Sequence, residues 1–166
     1  MTTRAGYCWL LALLLSGPTA SPADSFAGMD RIASVPTQQV WLTSGFLTHH
    51  FQQDKNLNGH NAGWGMEYRY ATTQSVTLGE FYNSDWHTSH YLGACWQPLA
   101  LGPLRIGLFA GALDGYPKMK DGNWFLAAIP LISAEYGRVG ANLTIIPTYQ
   151  DRLYGGIALQ LKLRLY

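Results

Sequence analysis

The chain is 166 residues long, the size of one domain, and is 48% hydrophobic, 13% aromatic and only 13% charged. A composition so rich in aromatics and so poor in charge excludes a disordered, solvated chain. Eleven Lys and Arg against ten Asp and Glu give a formal net charge of +1, which excludes the electrostatic footprint of a nucleic-acid-binding protein.

In chain order, residues 1–23 read as a cleaved secretory signal. Arg4 supplies the positive start, and the apolar run from Tyr7 to Leu15 is too short to span a bilayer. Small residues follow, and Ser21-Pro22-Ala23 is the expected cleavage site, with Ala20 as the other option. Cys8 leaves with this segment, so Cys95 remains as the lone cysteine of an exported chain and has no internal disulfide partner. Residues 24–38 are expected to form a short amphipathic helix and a linker. Phe26, Met29 and Ala33 share one side of that helix, and Pro36 ends it.

Residues 39–166 break into eight short segments separated by Gly, Asn, Asp and Pro clusters: 39–51, 61–71, 74–83, 89–99, 104–113, 124–136, 138–147 and 154–165. Their even number and regular spacing predict an all-β, eight-stranded antiparallel up-and-down barrel. Each segment has two faces. Leu104, Ile106, Leu108, Ala110 and Ala112 oppose Arg105, Gly107, Phe109 and Gly111. Trp64, Met66, Tyr68 and Tyr70 oppose Gly65, Glu67 and Arg69, and Leu159, Leu161 and Leu163 oppose Gln160, Lys162 and Arg164. In water the greasy face would turn inward, as in a periplasmic lipocalin-like carrier. In a bilayer it would turn outward, with the charges paired inside. Alternation alone leaves both open. The export signal, the scarcity of charge and the aromatic segment ends favour the membrane.

Other signals carry less. Asp54 to Gly59 copies the first half of an EF-hand loop, but Gly65 stands where a bidentate Glu is required, so the stretch reads as a turn. Asn142-Leu143-Thr144 is a glycosylation sequon inside an expected strand. His87 and His90 lie three apart in a loop and read as solvated. No metal or cofactor motif is present, and none is expected to be needed.

The order of motifs resembles the outer-membrane lipid A palmitoyltransferase family (PagP) across nearly all of residues 39–166. The marks are Phe51-x-x-Asp54-Lys55, Trp64-Gly65-Met66-Glu67, Phe81-Tyr82-Asn83-Ser84, Trp96-Gln97-Pro98-Leu99-Ala100 and Leu104-Arg105-Ile106-Gly107-Leu108. Ile129-Pro130-Leu131 through Gly137 and Thr144-Ile145-Ile146-Pro147-x-Tyr149 complete the series. The resemblance implies a tilted barrel preceded by a short amphipathic helix. It implies transfer of a palmitoyl chain from phospholipid to lipid A in the outer membrane of a Gram-negative envelope, by a monomer. It implies an acyl pocket in the outer half of the lumen, with Tyr91, Gly93, Gly107 and Gly111 as its candidate lining. It also implies sideways passage of lipid at two gates marked by Pro130 and Pro147, because proline removes a ladder hydrogen bond.

The implied chemistry is a His at the outer end of the first strand and an Asp-Ser pair after the third. Here His49, Asn83 and Ser84 are the candidate catalytic residues. Placement without gaps puts Thr48 at the family's His, with His49 one step away and His50 two. Adjacent strand residues face opposite sides, so at most one of the two points inward unless a bulge intervenes. Asn83 replaces the family's carboxylate and cannot hold a charge; Asp85 lies two residues on. Three readings therefore stand beside one another: an acyltransferase, an acyl hydrolase acting on lipid A or phospholipid, and a barrel with a silent site that holds a lipid. Phospholipid, lipopolysaccharide and the membrane are the partners these readings imply.

Overall fold

A computed structural model describes residues 28–166; residues 1–27, which include the stretch expected to be a signal segment, lie outside the described residues. The strands are β1 (Asp30–Arg31), β2 (Pro36–His50), β3 (His60–Ala71), β4 (Gln74–Tyr82), β5 (Thr88–Leu101), β6 (Leu104–Leu113), β7 (Phe125–Tyr136), β8 (Val139–Ile146) and β9 (Gly156–Arg164). From β2 to β9 each strand pairs antiparallel with the next, and β2 pairs with β9, which closes an eight-stranded barrel. Three hairpins turn on two residues each: Thr72-Thr73, Gly102-Pro103 and Gly137-Arg138. At Gly137 the backbone has φ +59°, the left-handed value that a tight hairpin asks of its first central residue and that glycine supplies without strain. All three turns and both ends of the closed sheet lie at one end of the barrel. The long loops 51–59, 83–87, 114–124 and 147–155 lie at the other, the asymmetry of outer-membrane barrels.

Of the expected N-terminal helix, the described part is not helical. Gly28 is a turn, and Asp30 and Arg31 pair with Ala100 and Leu99 of β5. The reason is a backbone debt elsewhere. β4 starts opposite Trp96, so the end of β5 outruns it and exposes ladder groups. β1 fills that edge, and the Ile32 amide donates to the Pro98 carbonyl at 2.8 Å.

The two faces sort cleanly. Leu143 and Leu161 are exposed on the outer wall, and Trp64, Met66, Tyr68 and Tyr70 stand outward together. Glu67, Arg69, Asn142, Gln160 and Lys162 are buried in the lumen. Greasy side out and charge inside is the construction of a transmembrane barrel. It would be inverted in a soluble one.

Inside, the lumen has two storeys. At the short-turn end Arg69 reaches Glu135 at 2.6 and 2.8 Å and Glu67 at 3.1 Å. Lys162 reaches Glu135 at 2.7 Å and Glu67 at 3.3 Å. The Trp41 ring lies beneath them, with the Lys162 ammonium 4.7 Å from its centroid and the Arg69 and Arg164 guanidiniums at 5.6 and 5.7 Å. Above this plug runs a polar belt across the lumen. Gln97 donates to Ser133 (2.8 Å), Ser133 to Asn142 (2.7 Å) and Asn142 to Gln160 (3.1 Å). Gln160 reaches the Tyr91 hydroxyl at 3.5 Å. Above the belt the side chains become apolar: Phe81, Tyr91, Phe109, Tyr116, Phe125 and Leu131 form the core, with Phe46 edge-on to Phe81 at 5.0 Å.

Candidate functional site

A cavity of about 110 Å³ occupies the apolar storey. Its floor reaches Glu67, Asn142 and Gln160. Its walls include Phe109, Leu131 and Ala158, and its loop-end rim includes Thr48, Asn61 and Ser84. Tyr116 and Leu153 dip into it from the long loops. Burial raises the Tyr116 phenol well above the ordinary tyrosine range, so it stays neutral there.

Of the four residues expected to line an acyl pocket, Tyr91 borders the cavity and Gly93, Gly107 and Gly111 do not. Their missing side chains make room for neighbours. A Cβ at Gly93 or Gly111 would lie 2.4 or 2.6 Å from the Phe109 ring, and one at Gly107 would meet the Trp96 carbonyl. Gly93 and Gly111 make room for the Phe109 ring and Gly107 for the backbone of the neighbouring strand.

One seam of the wall opens beside the cavity. β7 pairs with β6 from Leu113↔Phe125 to Leu104↔Ala134. Its ladder with β8 starts only at Leu131↔Thr144 and runs towards the short-turn end. Residues 125–130 of β7 therefore have no partner on the β8 side, although β8 stays paired to β9 as far as Ile146↔Gly156. Pro130 stands where the ladder stops, and Pro147 follows the last residue of β8. The two prolines border one seam, where the sequence suggested two gates. Ala127, Ile129 and Leu131 line the cavity from one side of it, and Thr144 and Ile146 from the other.

The strand-end histidines are sorted by a bulge. Along β2, Trp41 and Thr43 are buried in the lumen. Between Thr43 and Phe46 the pairing slips against both β3 and β9. Gly45 makes the slip sterically feasible, since a Cβ there would stand 2.1 Å from the Asn61 carbonyl and 2.4 Å from the Gly63 nitrogen. The bulge is held by Gln160, which donates to the Ser44 carbonyl at 3.0 Å, and by the Leu161 amide, which donates to Ser44 Oγ at 3.0 Å. After it the inward set is Phe46, Thr48 and His50, while Leu47, His49 and Phe51 are exposed. His49, the sequence candidate, thus faces outward opposite Ile157, and the structure does not bring it to Asn83 and Ser84.

His50 is the inward histidine. Its Nε2 lies 3.2 Å from the Asn58 carbonyl, which can only accept, so Nε2 is the donor, and in the neutral ring the lone pair is on Nδ1. Nδ1 is buried and has no hydrogen-bond partner. Asn58 also ties this strand end to the third: its amide donates to the Ser84 carbonyl at 3.0 Å and its side chain to the Asn83 carbonyl at 3.2 Å.

Asn83 is 0% exposed and fully engaged. Its Nδ2 donates to Ser89 Oγ and to the Gly115 carbonyl, both at 2.8 Å. Its Oδ1 accepts the Asp85 and His87 amides at 2.9 and 3.0 Å. It is the latch that joins two loops, and the Ser84 next to it is presented to the cavity. Asp85 is half-buried nearby, and its carboxyl is pushed up by burial, with Lys118, His87 and His50 pulling in the opposite direction. His90 faces outward between Asp114 at 3.1 Å and Glu80 at 3.8 Å. Among the described residues no cluster of His, Cys, Asp and Glu has the geometry to hold a metal ion.

No protein-family model matches the sequence, and no curated protein matches it. Among solved structures the chain is similar to that of the de novo designed protein TMB2.3, determined by solution NMR. The two are 16% identical over 79% of this chain and 95% of that one, with a TM-score of 0.49.

Proposed function

We propose that this barrel works in the outer membrane on a lipid ester, holding an acyl chain in the upper lumen and transferring it from phospholipid to lipid A. The observation that carries the reading is the coincidence of an apolar cavity with an unzipped seam in the wall beside it. A chain entering at the β7–β8 seam passes between Ile129 and Ile146 into apolar space, and the charged plug below stops it. Its ester group is left at the loop end, where Ser84 borders the cavity and the inward His50 is buried behind the rim, so that Nδ1 meets the ester only when the rim gives way. His50 Nδ1 takes the proton of an attacking hydroxyl as the new ester bond forms, and returns it to the departing glycerol oxygen. The kinship with lipid A palmitoyltransferases belongs to this proposal and rests on the motif order alone.

The test is direct. Refolded protein in vesicles is incubated with radiolabelled phospholipid and lipid A, alongside Ser84→Ala and His50→Ala variants. Labelled lipid A from the wild type supports transfer, and released fatty acid would mark a hydrolase. No product in either form, with a positive-control enzyme working, sinks catalysis. Retained phospholipid binding would then leave a lipid-holding barrel, the reading that Asn83 favours, because its side chain is spent on the loops.

A further inference from the structure

The four long loops meet in a recess of about 360 Å³ lined by Lys55, Leu57, Asp85, Trp86, Lys118 and Tyr154. It lies at the same end of the barrel as the cavity rim, among loops that also supply the rim's Ser84 and Leu153.

Its walls are preset. Lys118 Nζ donates to the Tyr154 hydroxyl at 2.9 Å and lies 4.9 Å from the centre of that ring, so two of its three N–H donors remain free. Trp86 is held with φ +63°, a costly conformation for a bulky side chain, and its indole donates to the Asn56 carbonyl at 2.9 Å. Lys55 is paired with the exposed Asp54 at 3.1 Å. The recess thus presents Lys118 with two free donors, the Tyr154 phenol and Lys55, which Asp54 already pairs, beside the half-buried carboxyl of Asp85 and with Asp151 close enough to act on both lysines.

We infer that this recess binds the phosphate of an amphiphile's headgroup through Lys55, Lys118 and Tyr154, with Asp85 accepting a hydroxyl of the same headgroup. The inference rests on the proposed lipid reading for the chain below the headgroup, but not for the phosphate itself. Two clamped donors and a phenol suit a multiply accepting anion, and a hydroxylated headgroup gives the carboxyl a partner. A phosphoglycerol and a phosphorylated sugar both carry that chemistry.

Two matched pairs of probes test it by titration calorimetry in neutral detergent. They are dilauroyl phosphatidylglycerol against dilauroylglycerol, and lauroylated glucosamine 1-phosphate against its dephosphorylated form. In at least one pair the phosphorylated member is expected to bind about tenfold tighter or more, and the pair that shows it identifies the source of the phosphate. Lys55→Ala with Lys118→Ala should erase that preference and leave the neutral member's affinity unchanged. Equal affinity within both pairs on the wild type, or a preference that survives the double variant, overturns the inference. Chainless glycerol phosphate separates this from the lipid reading. Saturable binding that needs both lysines supports the recess even where neither neutral amphiphile binds; no lysine-dependent binding of either kind refutes it.

Discussion

Replacing Lys162 with methionine tests the plug on which the two-storey lumen depends. Lys162 is 4% exposed, reaches Glu135 at 2.7 Å and Glu67 at 3.3 Å, and lies over the Trp41 ring. Methionine keeps most of the volume and removes the charge. Glu67 and Glu135 are then left sharing Arg69, one buried and one partly buried carboxylate on one guanidinium. Removing one partner of a buried ion pair costs about 3–5 kcal/mol, because the other charge stays desolvated. Neutralising Glu67 as well restores the balance, since Arg69 keeps its bidentate hold on Glu135. Lys162→Met/Glu67→Gln should therefore be more stable than Lys162→Met alone. Urea unfolding of the refolded barrel in lipid vesicles, followed by tryptophan fluorescence, measures both. A loss below about 1 kcal/mol, the range of exposed pairs, would refute the sealed plug. So would single-variant losses that simply add in the double variant, since groups in one network must couple.

Four further outcomes are expected. Gly45→Ala drives a Cβ to 2.1 Å from the Asn61 carbonyl, so it should cost at least about 1–3 kcal/mol in the same unfolding assay; a neutral substitution would remove the bulge as the device that turns His50 inward. In the transfer assay His50→Ala should slow the reaction about 10²-fold or more while His49→Ala leaves it unchanged, and the reverse order would refute the assignment of the inward residue. Asn83→Ala orphans the Gly115 carbonyl and two loop amides and takes one donor from Ser89 Oγ, which still donates to the Asp114 carbonyl; it should lower stability by about 1–3 kcal/mol, read from the near-ultraviolet dichroism melt, and an unaltered melt would mean the latch holds nothing. Burial raises the Asp85 carboxyl, so the folded state binds that proton more tightly than the unfolded one, and stability falls as pH rises from the ordinary aspartate range through the raised value. Asp85→Asn should remove that fall and stabilise the protein at neutral pH; identical pH–stability curves for the two proteins would exclude it.

The barrel was legible in the sequence because a sheet with one greasy face writes a two-residue period. Leu104 to Leu113 is bounded by the sequence pattern where the strand itself begins and ends, and the other seven segments differ from their strands by one to three residues at one end or both. The histidines were harder, because a bulge is a slip in pairing that marks no residue type. A signal did exist. Leu47 and Phe51 are apolar and share the parity of His49, so in a barrel with its greasy side outward all three belong on the outer wall. The glycines misled for a tertiary reason. Phe109 lies over Gly93 and Gly111 and Tyr91 over Gly65 and Gly79, and the rotamer of a ring on a neighbouring strand has no local signature. Asn83 looks like a substituted acid in the motif, yet its hydrogen bonds run to Gly115 and Ser89, residues the motif does not contain.

The cavity and the seam are each unfavourable alone. An apolar void forfeits dispersion contacts and orders no water. Unpaired strand groups facing hydrocarbon cost several kcal/mol each, which is why membrane barrels close completely. In this chain both defects lie in the loop half of the lumen, and both concern residues 125–131 of β7. The short-turn half shows the opposite economy: every carboxylate there has a cation, and the belt from Gln97 to Tyr91 is bonded end to end. Among the described residues Arg105 Nε is the one buried side-chain polar atom of that half without a partner, whereas in the other half the void and the bare edge meet at Pro130, where the ladder stops. On the proposed lipid reading, an acyl chain in the lumen would restore the missing contacts in the void beside the open edge.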